Sequence, residues 1–133
     1  MGAVKEETQI ALVDGQYMSG KLSVSNGKTF DIQSASMNNS ATVPLTKAIT
    51  VHSGDVLSLL FSVRPGTKNQ SWAVNVSGVN KYVVSGDKPY GNRWYSTTMD
   101  ADGTLTGIYV DCRDYAWTAV FDLSLKINDE VIF

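Results

Sequence analysis

The stretch Trp117–Ile127, WTAVFDLSLKI, decides the fold class. Trp117, Ala119, Phe121, Leu123, Leu125 and Ile127 occupy every second position, with Thr118, Val120, Asp122, Ser124 and Lys126 between them. A helical period would scatter both sets around a cylinder. A period of two separates them onto the two faces of one extended strand. The pattern predicts a long strand with one face in a core. Asp55–Val63, DVLSLLFSV, repeats it, with Leu57, Leu59, Phe61 and Val63 set against Val56, Ser58, Leu60 and Ser62. Ser71–Ser77, SWAVNVS, repeats it again through Trp72, Val74 and Val76.

Outward from these three segments the signal is β-branched and aromatic content bounded by turn residues. It predicts strands at 9–13, 16–24, 28–33, 47–51, 81–84, 93–98 and 104–110. Asp14-Gly15, Asn26-Gly27, Ser53-Gly54, Pro65-Gly66 and Asp102-Gly103 separate them, and Asn128-Asp129 predicts a tight hairpin into Glu130–Phe133. No amphipathic helical pattern and no internal repeat is present. About ten short strands at this spacing predict an all-β, two-sheet antiparallel β-sandwich of jelly-roll type, with a closed barrel as the alternative. Residues 1–8 read as a flexible lead-in or linker and 9–133 as a single β-sandwich domain.

The composition bounds the function. Of 133 residues, 18% are charged, and the formal net charge is −2, which disfavours a general electrostatic grip on nucleic acid. Ser, Thr, Asn and Gly fill the places of charged residues, as on the polar faces of a β protein. Cys112 is the lone cysteine and His52 the lone histidine, so neither an intrachain disulfide nor a Cys- or His-based metal cluster is available. No apolar run has the length of a membrane span. Asp100–Gly103, DADG, resembles the opening of a calcium loop but lacks the later bidentate acid, and a hairpin turn with Gly103 left-handed is the better reading. No catalytic group, metal or cofactor is expected.

Strand alternation places function at one end. If successive strands run in opposite directions, the connections at 64–70, 85–93 and 111–116 fall at the same end of the sandwich. Together they offer Tyr90, Asn92, Arg93, Trp94, Asp111, Arg113, Asp114 and Tyr115 as candidate ligand-binding residues. Sugars present apolar C–H faces and hydroxyl edges. Tyr90, Trp94 and Tyr115 would stack on the rings, and Asn92, Arg93, Asp111, Arg113 and Asp114 would fix hydroxyls or acidic groups. Trp72 and Trp117 read as core; Trp94 is open between core and surface.

Thr8–Gly20, TQIALVDGQYMSG, followed by Lys47–Val63, KAITVHSGDVLSLLFSV, resembles the extracellular jelly-roll modules found as carbohydrate-binding appendages of glycan-degrading enzymes and in phage tail receptor-binding proteins. The resemblance implies non-enzymatic recognition of a poly- or oligosaccharide, lectin-like, outside the cell, at the cell surface or on a virion. The other reading is a structural module of a phage virion or cell-surface protein. Val56, Leu60 and Val120, apolar on nominally outward faces, would make it a homo-oligomer.

Overall fold

The computed structural model describes residues 10–17, 20–34, 39–64, 70–87, 93–112 and 117–133. Among these residues twelve strands form: β1 Gly15–Tyr17, β2 Gly20–Leu22, β3 Val24–Ser25, β4 Thr29–Ser34, β5 Asn39–Val51 and β6 Val56–Arg64. They continue as β7 Gln70–Val76, β8 Val79–Asp87, β9 Trp94–Thr98, β10 Gly103–Cys112, β11 Trp117–Ile127 and β12 Glu130–Val131.

The first sheet has the order β2-β1-β5-β10-β7-β8, and the second β3-β4-β11-β6-β9, with β12 paired to β11. Every pairing is antiparallel. Within this, β4–β11 are arranged as 4-11-6-9 facing 5-10-7-8, the strand order of a jelly roll. The sheets are open at both sides, so the architecture is the expected sandwich and not the closed barrel.

The period-two reading fills the core. Leu57, Leu59, Leu123 and Leu125 from the second sheet meet Trp72, Val74, Leu105, Ile108 and Val110 from the first, all buried. Phe30 of β4 crosses to Trp72 of β7 at 6.2 Å between ring centroids, so Trp72 is a core residue as its pattern predicts. The side chains of 117–121 lie outside the described residues.

Three local expectations need correction. The predicted strand at 9–13 supplies only an isolated bridge from Leu12 to Leu45, and the predicted 16–24 segment divides into β1, β2 and β3. Gly103 is not left-handed; positive φ among the described glycines falls at Gly27, Gly54 and Gly78. The turn before Gly103 joins strands of different sheets, so it is no hairpin. A Cβ at Gly103 would lie 2.6 Å from Val76 Cγ1, so close approach, not backbone freedom, is the reason for glycine there. The Asn128 hairpin holds, with φ of 56° at Asn128.

The registers also bear out the common end. Cys112 pairs with both Gln70 and Asn39, Gln70 with Asp87, and Trp117 with Ser34. The strand ends that bracket 35–38, 65–69, 88–92 and 113–116 therefore converge. The opposite end carries the compact turns at 52–55, 77–78, 99–102 and 128–129.

Candidate functional site

Register builds an aromatic surface on the outside of the first sheet. Directly paired residues in antiparallel strands share a face. Trp72 and Val74 point inward, so Ala73 points outward, and its partners are Tyr109 on one side and Tyr82 on the other. The small side chain of Ala73 lets the two rings meet edge to face, 6.5 Å apart and inclined at 82°. Tyr82 is 43% exposed. Beyond Tyr109 the row continues through exposed Thr42 of β5 to exposed Gln16 of β1.

Polar rows flank the tyrosines on both sides. Towards the turn end, Asn75 Nδ2 donates to Asn80 Oδ1 at 2.8 Å, while Asn75 Oδ1 accepts from Gly78 N at 3.2 Å and from Thr106 Oγ1 at 3.1 Å. These bonds fix the amide and anchor the β7–β8 turn, where Ser77 and Gly78 both have positive φ. Towards the converging strand ends, Asp111 pairs with Ser71 and Ser40, and both Asp111 and Ser71 are buried. Asp111 therefore lies on the tyrosine face, two residues beyond Tyr109 and just before the 113–116 connection.

The predicted site residues divide. Asp111 belongs to the first sheet. Trp94 opens β9 and pairs with Leu60 on the outside of the second sheet, half-buried but not in the core. Lys126 holds its Nζ 4.3 Å from the Trp94 ring centroid. Arg93 is exposed and stacks 5.2 Å over Tyr95, at the side where the edge strands β8 and β9 adjoin. The structure thus does not bring Asp111 together with Trp94 and Arg93. Tyr90, Asn92, Arg113, Asp114 and Tyr115 lie outside the described residues.

Tyr82 and Tyr109 are absent from the sequence-based candidates. Their facing is readable once Ile108 and Val110 are assigned inward, but the non-local pairing of β10 with β7 is not. It is that pairing which turns two separate tyrosines into one surface.

Titration is perturbed at the opposite end. The Asp55 carboxyl is held below its ordinary value, first by the His52 backbone N–H that donates to it at 2.8 Å and then by the Asn128 amide at 3.3 Å. His52 itself is an exposed turn residue, 3.9 Å from the Asp102 carboxylate. Asp102 accepts from Ser53 N, and Asp100 pairs with Lys81 at 3.5 Å. Among the described residues no three His, Cys, Asp or Glu side chains gather as metal ligands, and no helix is long and apolar enough to cross a membrane.

No protein-family model matches the chain, and no curated protein matches it. Among solved structures, it superposes on the low-affinity xylan-binding module CBM86 of the xylanolytic gut symbiont Roseburia intestinalis with a TM-score of 0.57 and 15% identity, covering 90% of this chain and 89% of that one. A chain from accessory secretory protein 1, 2 and 3 of Streptococcus pneumoniae aligns at a TM-score of 0.48 and 14% identity, over 89% and 95% of the two chains. The resemblance to carbohydrate-binding jelly-roll modules read in the sequence thus extends to three dimensions, as a likeness of fold.

Proposed function

We propose that the chain is a non-catalytic carbohydrate-binding module that lays a glycan across the outside of the first sheet. The observation that carries this is the Tyr82–Tyr109 pair, gathered over Ala73 and left in part open to solvent. Aromatic faces stack on the C–H surfaces of sugar rings, while Gln16 and Thr42 in the same row offer donors and acceptors to hydroxyls. With strands about 4.8 Å apart, the row from Tyr82 to Gln16 spans roughly 19 Å, which suits a run of sugar rings. Asp111 is the one carboxylate on that face among the described residues.

The xylan-binding activity of the CBM86 module, on the same fold, supports this reading. The same reading takes in the rim as a proposal: Arg113, Asp114 and Tyr115 follow β10 in the sequence, and Tyr90 and Asn92 lie between β8 and β9. Residence outside the cell, at its surface or on a virion belongs to the same reading. Calorimetric titration with xylan, mannan and β-glucan oligomers tests it. Tyr82→Ala and Tyr109→Ala should each weaken a ligand that the parent protein binds; unchanged affinity in both removes the site. Tyr115→Ala separately tests the rim.

A second reading, a structural module assembling through its second sheet, rests on half-buried Val56 and Leu60 and exposed Val131 on its outside. Light scattering across a concentration series decides it: a monomer throughout removes this alternative.

A further inference from the structure

Lys126 of β11 pairs with Ser58 of β6, which pairs with Ser96 of β9, so the three form one row across the outside of the second sheet. The lysine reaches over that row to Trp94 in the next. Ser58 is only 2% exposed, and its hydroxyl meets that of Ser96 at 2.7 Å. Beside them is an open depression of about 320 Å³, lined by Val56, Ser58, Ser96, Lys126, Asn128 and Asp129. Small-molecule sites begin at about 300 Å³, so the space suits one ring better than a chain.

The charges select the occupant. Among the described residues no carboxylate comes within ion-pair distance of Lys126, whose recorded partner is the Trp94 π-face. Nearby acids are committed or distant: Asp122 accepts the Thr29 hydroxyl at 2.7 Å, and Asp55 accepts from His52 N and Asn128. The Asn128 amide is spent on Val56 N and Asp55. Asp129 lines the far wall, exposed and unpaired with Lys126. Lys126 lines the depression and supplies one cation beside the Ser96 hydroxyl, which balances a single negative charge. Asp129 opposes a second, which disfavours a phosphate dianion, yet can accept from sugar hydroxyls.

We infer that this depression is a separate site for a carboxylate-bearing sugar, a uronate whose carboxylate pairs with Lys126 and Ser96 while its hydroxyls face Asp129. The module would then grip neutral sugar chain on one face and an acidic sugar on the other.

The test is titration of a Tyr109→Ala protein, which removes the first face, with an oligogalacturonate and with the same oligomer after carboxyl reduction. The acidic oligomer should bind, the reduced one about tenfold more weakly, and Lys126→Met, which keeps the stem but not the charge, should cost about tenfold. Added salt should weaken the acidic oligomer selectively. Equal binding of both oligomers, or no effect of Lys126→Met in a protein with unchanged near-ultraviolet circular dichroism, overturns the proposal. So does self-association that buries this face. Loss of neutral-glycan binding in Tyr82→Ala reports on the tyrosine face alone, so the two sites stand or fall separately.

Discussion

Among the described residues, Tyr82 and Tyr109 differ from Trp72, Trp94 and Tyr95 in what their rings touch. Trp72 is spent on the core, Tyr95 packs against it, and Trp94 has Lys126 over it. If the tyrosines stack on sugar, the ring matters and the hydroxyl does not. Tyr82→Phe should keep affinity within about threefold and Tyr82→Ala lose about tenfold, read by calorimetry. A second residue-scale prediction concerns acid. The folded Asp55 carboxyl titrates below its ordinary 3.8, so its bonds stabilise the protein above that value and are lost as pH falls through the folded value. Denaturant midpoints should therefore drop as pH is lowered below about 4, and Asp55→Asn should flatten that drop by up to about one proton's worth of slope. The His52 bond to Asp55 is local and legible in kind from a His-Ser-Gly-Asp turn; the second partner, Asn128, is not, because it arrives from a hairpin far along the chain.

At the scale of elements, the strands with strict alternation were readable, β4, β8, β9 and β10 were readable to within a few residues at their ends, and the segments before β4 and the first half of β5 were not. β6, β7 and β11 stand where Leu57, Trp72 and Leu123 put them. β5 was expected only from Lys47, yet it runs from Asn39 across Pro44, which cannot donate to a ladder. Pro44 is accommodated because it pairs with Gly107 beside a register shift between Leu105 and Gly107, where the ladder is already interrupted. The loss of the 9–13 strand has the converse cause: Ala11 and Val13 bond across to Thr46 and Pro44 at a single bridge and go no further. Packing then sets what each strand is worth. Leu125, fully buried in β11, should cost about 2–5 kcal/mol on substitution by alanine. Ser124→Ala, half-buried on the outer face, should stay within about 0.5 kcal/mol. Chemical denaturation with constant slope checks both.

For the whole molecule, the jelly-roll order makes neither sheet independent. Successive strands cross between sheets at β2–β3, β4–β5, β5–β6, β6–β7, β8–β9, β9–β10 and β10–β11, so neither sheet can complete its pairing without the other. The core is likewise shared, with Phe30 of one sheet against Trp72 of the other. The same crossings gather the connections at one end and leave two outer faces free to differ, tyrosine and amide on one, tryptophan and lysine on the other. Alternation made the common end legible; the division of faces depends on pairings that no local pattern records. A scaffold wound this way should unfold as one unit, which is the single-domain expectation for 9–133. Calorimetry should show one transition whose enthalpy matches its van't Hoff value, near 90 kcal/mol from about 0.7 kcal/mol per residue around 60 °C. Ile108→Ala in the first sheet and Leu125→Ala in the second should move that one transition together. Two resolved transitions, each answering to one substitution, would show that the sheets are separable and that the faces they carry need not be held in fixed relation.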